Sequence, residues 1–380
     1  LEVVEVEINP NQEIERDFAL LHADFEPSRD QIDVELALNE SLDVSIVISN
    51  SGNGALNWEV SREFPEGMEA EPWEHRAAIP AAEILENSRL GGVEFVDDNF
   101  YVAGGFADDD NVIYVLSREG ELIRQFNQHT DSRYGYRDIV YDGDLLWGVD
   151  GRVVYGFTLD GELVRELDTP INGIRGITWD PTNELLYMCG ITSNIFVLNL
   201  DGDVVHEIDR LGDLRPYGLT WYPDDPDGFF LQLFCSNGEF NHQIYRANPD
   251  NGEFEFVSEP DIEGSAGAAA VNRRWDPFSW VFMGMTNSPD RIEVWHLDSP
   301  TGWVNVEPTE GQIEADEETE IIITLDTQDF PVNIEFTTDL VFTHDGVGGE
   351  TIIPVSLMAS EIGGLSERTL DMAFGWNMVS

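Results

Sequence analysis

Three positions in the middle of the chain carry side chains suited to gripping an anion or a ring. Arg137 opens the phrase RDIVYDG (137–143), Arg175 opens RGITWDP (175–181) and Tyr217 opens YGLTWYP (217–223). Arg137 and Arg175 stand at matching points of a repeated pattern. A planar guanidinium presents paired N–H donors to a uronate, sulfate or carboxylate. The same arginines can instead pair with neighbouring aspartates and fix a loop. Trp275, in RRWDPFSW, is the candidate exposed apolar contact. Two acidic runs are the candidate metal ligands: Asp108, Asp109 and Asp110 in ADDDN, and Asp224, Asp225 and Asp227 in YPDDPDG. Calcium is the fitting ion, because it takes six to eight oxygens on flexible loops. The EF-hand spacing is absent, and no other cofactor is expected.

No HExxH, GxSxG or P-loop pattern occurs, and seven histidines are scattered without ligand spacing. No catalytic residue is therefore nominated. Glycoside hydrolysis by paired carboxylates remains an alternative, but 75 acidic residues give no way to choose a pair. Cys189 and Cys235 end equivalent strands of adjacent repeats. A cross-repeat disulfide or two buried thiols are both compatible with that placement, because spacing alone does not fix the Cα separation a bridge needs.

These residues sit on an internal repeat. Five segments share a four-strand pattern whose first strands read GVEFVDD, RDIVYDG, RGITWDP, YGLTWYP and GAAAVNR. Each unit ends in a glycine turn and a fourth strand: EGELIRQF, DGELVREL, DGDVVHEI, NGEFEFV and TGWVNV. The turn glycines are Gly120, Gly161, Gly202, Gly252 and Gly302, separated by 41, 41, 50 and 50 residues. Four strands at this period predict β-propeller blades, and Asp-Gly or Asn-Gly is the turn that closes such hairpins. Phe95, Tyr141, Trp179, Trp221 and Val271 recur at one position of the first strand. Packing between blades is their expected role, and a ring of sugar-stacking platforms is the alternative.

The flanks differ. Residues 33–71 and 303–360 together supply about seven alternating strands, the number an immunoglobulin-like sandwich needs. The expected organisation is all-β: a five-bladed β-propeller (91–302) inserted into an immunoglobulin-like β-sandwich (33–71 and 303–360). An N-terminal extension (1–32) offers a strand to this sandwich or to a neighbouring molecule. Residues 72–90 form a linker, part of which closes the ring unless WVNV (303–306) does. Residues 361–380 read as a linker entering a further domain.

The charge sets the surroundings. Nineteen arginines, no lysines and 75 acids give 19 − 75 = −56. Nucleic acid and anionic membrane surfaces are excluded as partners, since both need a basic face. Self-repulsion at −56 is screened when molar salt cuts the Debye length to about 3 Å. A halophilic or marine exterior fits best. At 42% hydrophobic and 11% aromatic, the chain can still build cores. No window is long and apolar enough to span a bilayer. The chain starts at Leu1 without a signal peptide, as a processed secreted protein would.

The phrase ISNSGNGALNWEVS resembles the opening of BACON-type or ASPM-like immunoglobulin modules, and WVNVEPTEGQIEADEETEIIITLDT with IIPVSL resembles their closing half. LGGVEFVDDNFYVAGG, YGYRDIVYDGDLLWGVDG, IRGITWDPTNELLYMCG and NSPDRIEVWHL are similar to propeller regions of secreted Bacteroidota-type surface proteins. The resemblance covers roughly residues 35–360. It implies secretion, cell-surface attachment and a multidomain context, and says nothing of chemistry. The expected role is a non-enzymatic extracellular module for binding or adhesion, its partner a protein or glycan at the cell surface. A subunit of a self-assembling surface filament or layer is the other structural expectation.

Overall fold

The computed structural model describes residues 20–65, 68, 70–105, 111–237, 241–276, 279–328 and 330–360. The chain is all-β: among the described residues the sole helix is the four-residue turn Ala81–Ile84. None is long and apolar enough to cross a membrane. The chain divides into two units, Leu1–Pro65 with Thr301–Ser380, and Glu66–Pro300.

Among its described residues the first unit has two sheets, each mixing strands from both ends of the sequence. One orders Glu26–Pro27, Ser41–Ser49, Glu318–Asp326 and Val304–Glu307; the other orders Ile32–Ala37, Glu350–Ser360, Glu335–His344, Leu56–Glu63 and Glu310–Ile313. Alternation drives both. Val44, Ile46 and Ile48 are buried on one strand and Ile321, Ile323 and Leu325 on its partner, with polar residues between them. Such burial contributes about 1.5–3 kcal/mol per side chain. The strand suggested at LEVVEVEINP lies outside the described residues.

The second unit is a ring of five four-stranded antiparallel sheets among the described residues, the arrangement of a β-propeller. The innermost strands are Leu90–Val96, Ile139–Tyr141, Ile174–Asp180, Arg215–Trp221 and Ser265–Asn272. They touch in succession, and the last returns to the first. Phe95, Tyr141, Trp179, Trp221 and Val271 each fall in a different apolar cluster, so the repeated position packs the seams rather than forming a platform. Gly120, Gly161, Gly202 and Gly252 hold φ between 73° and 90°, as the turn into each fourth strand requires.

The fifth sheet departs from the pattern. Its fourth strand is His75–Ile79, from within the expected linker, paired with Arg291–Asp298. The expected strand TGWVNV does not close it: Val304–Glu307 pairs with Glu318–Asp326 in the first unit. Gly302 accordingly lacks the positive φ of its four counterparts. An early strand laid beside the last sheet closes the ring, so its polar edges are paired rather than orphaned.

Candidate functional site

The inner strands do not run straight into the axis. In the first, third, fourth and fifth sheets the pairing slips by one residue, between Leu90 and Val93, Ile174 and Gly176, Pro216 and Gly218, and Ala266 and Ala269. In the second, Arg137 donates its amide to Val149 O (3.0 Å) while Asp138 O accepts from Val149 N (3.3 Å), so two residues face one. A β-bulge thus occupies the same place in all five, and a bulge re-aims the side chain it releases. The released residues include Arg137, Arg175 and Tyr217.

Just past the bulges, Gly92, Gly176 and Gly218 bring neighbouring strands together. A Cβ on Gly218 would lie 2.3 Å from Ala269 N, and one on Gly92 would lie 2.8 Å from Ile139 N. Asp138 stands at this glycine position in the second sheet and is fully buried. Its Oδ2 accepts amide N–H groups from Ile177 (3.1 Å) and Leu219 (3.3 Å), while Oδ1 accepts from Ile139 (3.1 Å). One carboxylate therefore staples three sheets. Burial pushes its pKa well above the ordinary carboxylate value, against the pull of these amides.

Glu94, two residues past Gly92 on the first inner strand, does the same across the next seam. Its oxygens accept from Phe95 N (2.9 Å) and Tyr141 N (3.2 Å). Burial lifts its pKa from 4.5 to about 7, the two amides pulling the other way. The folded value exceeds the unfolded one, so the stability Glu94 contributes is complete below pH 4.5 and is lost as pH rises through about 7. The loss is about 3 kcal/mol at 1.36 kcal/mol per unit. Glu94→Gln should flatten this part of the profile. Comparing denaturant midpoints at about pH 5 and about pH 8 cancels the whole-chain repulsion common to both proteins. Parallel profiles would refute the assignment.

Above these staples sits a cluster of cations. The Arg137 guanidinium lies 3.9 Å from the centroid of the Tyr134 ring, with Arg133 5.6 Å from the same ring. Burial, and then the like charge of Arg175, lower the Arg137 pKa to about 10. Among the described residues Arg76, Arg118, Arg124, Arg152, Arg165, Arg246, Arg273 and Arg291 form ion pairs, whereas Arg133, Arg137 and Arg175 form none, as is also true of Arg62, Arg89, Arg210, Arg215 and Arg274. No described aspartate reaches ion-pair distance of Arg137 or Arg175, and Asp150 attracts Arg137 from further off. Tyr217, at the matching bulge of the fourth sheet, is half-buried against the core of the last seam. The repeat pattern pointed to Arg137, Arg175 and Tyr217. It passed over Arg133, Tyr134 and Glu94; only glycines inside strands, a bulge signal, marked this layer.

The other candidates go elsewhere. Trp275 is not an exposed contact. It is half-buried against the cluster of Phe95, Phe100 and Ala268. Asn272 Oδ1 accepts from Arg274 N (2.6 Å) and Trp275 N (3.2 Å), which folds the turn back onto that seam. Asp224 accepts from Trp280 Nε1 (2.7 Å) and lies 3.7 Å from Arg273. Asp225 and Asp227 both meet Arg246, at 3.1 and 2.9 Å. The three carboxylates are thus divided between two arginines. Asp108, Asp109 and Asp110 lie outside the described residues. Among the described residues no group of three His, Cys, Asp or Glu side chains is set to hold a metal ion. Cys189 and Cys235 are buried free thiols, and burial pushes both up in pKa.

No family model and no curated protein matches the chain. Among solved structures, it is similar to the Neurospora crassa Pan2 WD40 domain, at 12% identity and a TM-score of 0.35, over 62% of this chain and 98% of that one. It is also similar to the Myceliophthora thermophila Cps50 (Swd1) β-propeller domain, at 10% identity and a TM-score of 0.38, over 60% and 100%. A chain of a mitotic checkpoint complex aligns at 10% identity and a TM-score of 0.36, over 79% and 99%.

Proposed function

We propose that this chain is a non-enzymatic extracellular binding module. In this reading the second unit is a five-bladed propeller inserted into an immunoglobulin-like sandwich. The bulge layer of the propeller grips an anionic group on a cell-surface protein or glycan. One observation carries the reading: in a chain of net charge −56, the half-buried Arg137 lies beside the like charge of Arg175 and forms no ion pair among the described residues, Asp150 acting on it only from a distance. Like charges held together and partly desolvated are costly unless an anion joins them. Glu94 and Asp138 do not offer an alternative chemistry, because their oxygens are spent on backbone amides. The lysine-free acidic composition supports a salty exterior as the setting.

The test is a titration with trigalacturonate and with a sulfated disaccharide at low and at molar salt. Saturable binding is expected, weakened roughly tenfold by either Arg137→Ala or Arg175→Ala, since a hydrogen bond to a charged group contributes about 1.5–3 kcal/mol. Salt should strengthen the approach of a polyanion by screening the whole-chain repulsion, the reverse of ordinary basic-patch binding. Equal affinity in the double variant, or no binding of either probe, would reject the reading.

A further inference from the structure

A second pocket lies on the same unit, between its fourth and fifth sheets. It encloses about 450 Å³, within the roughly 300–1,000 Å³ of small-ligand sites. Trp73, Phe256 and Leu297 supply apolar lining. Phe256 is 49% exposed, so much of its ring is left for a ligand. Trp73 is fixed in place: its amide donates to His296 O (2.7 Å) and its ring packs on Phe282, 5.6 Å between centroids. Two aromatic side chains in one cavity suit either an apolar group or the positive charge that ring faces attract.

The charges choose between these. Asp225, Glu255 and Asp298 line the pocket against a single guanidinium, that of Arg246, which leaves the lining net negative. Arg246 meets Asp225, Asp227 and Glu255 at 3.1, 2.9 and 2.8 Å, so its charge and theirs are spent on one another. Asp298 is not spent. It is exposed and forms no ion pair among the described residues. The other charges that act on it are a distant His296 and a repelling Asp224. An anion is therefore disfavoured, and a neutral apolar molecule would cover the Asp298 carboxylate without balancing it. A bare metal ion would find one unspent carboxylate where calcium takes six to eight oxygens. A hydrated ammonium would need acceptors that apolar walls lack. A methylated ammonium needs none, because its methyl groups carry the charge onto the rings while a carboxylate balances it. We infer that this pocket binds a small quaternary ammonium compound, held by Trp73 and Phe256 with Asp298 as its counter-charge. The site shares no residue with the arginine layer and stands whether or not that layer binds an anion.

Titration of the full chain with tetramethylammonium and with choline at constant ionic strength, followed by saturation transfer to the ligand methyl protons, tests it. Both cations should saturate in the millimolar range or below. Dimethylbutanol, the neutral carbon isostere of choline, should bind roughly tenfold more weakly. Asp298→Asn removes the counter-charge, and Phe256→Leu keeps an apolar wall while removing a ring. Each should weaken choline by roughly threefold to tenfold, and the two together by more. The melting temperature should hold in both, since both side chains are exposed. Arg137→Ala should leave choline binding intact, which separates this site from the arginine layer. The inference fails if neither cation saturates, or if the neutral isostere binds as tightly as choline. It also fails if the double variant binds as tightly as the parent chain, the behaviour of cations merely gathered by the charge of −56.

Discussion

Asp138→Ala should destabilise the second unit by about 3–5 kcal/mol. The variant strands the amides of Ile177 and Leu219, from two different sheets, in a place water does not reach. Each stranded buried donor costs roughly 1–3 kcal/mol, and the vacated volume adds to that. Hydrogen exchange at Ile177 and Leu219 is the direct measurement, because it reports this ring and not the other unit. Both amides should exchange far faster in the variant, with the denaturant midpoint lowered. Asp138→Asn retains one acceptor and should cost less. A loss under about 1 kcal/mol for the alanine variant would mean that the axis accommodates water in place of the carboxylate.

Gly218→Ala is the second large effect. One added methyl would sit 2.3 Å from Ala269 N, 2.4 Å from Ala268 C and 2.8 Å from Gly267 O. All three neighbours are backbone, so relief requires the fourth and fifth inner strands to part. Overpacking against mobile side chains costs about 1–3 kcal/mol, and a backbone clash belongs at or beyond the top of that range. Gly302→Ala is the matched control, having nothing within 4 Å of its Cβ and no positive φ. Thermal and denaturant unfolding should separate the two variants clearly. Equal stability would show that the inner strands are less closely held than these separations require.

Both effects come from one layer, and that layer was only half legible in the chain. Hydrophobic alternation and regularly spaced turn glycines determined the all-β class, the four-strand repeat and the matching of Arg137 with Arg175. These are local signals, set by strand pleat and turn geometry. The seam role of Phe95, Tyr141, Trp179 and Trp221 was likewise readable, because one repeated position must meet one repeated environment.

Other features depended on residues distant in sequence. His75–Ile79 closes the fifth sheet because its edge pairing is satisfied by a strand more than two hundred residues earlier, and alternation alone fits WVNV as well. Trp275 looked free as part of a polar hairpin, and Asn272 turns it inward. Whether Asp224, Asp225 and Asp227 face one another or face arginines is a matter of side-chain direction, which composition cannot supply. Asp138 reads locally as one acid among 75, and its role exists only where three sheets converge on it. Sequence by itself fixes what each strand buries. Only the closed ring decides which polar groups are cut off from water, and so which few carboxylates and arginines carry consequence.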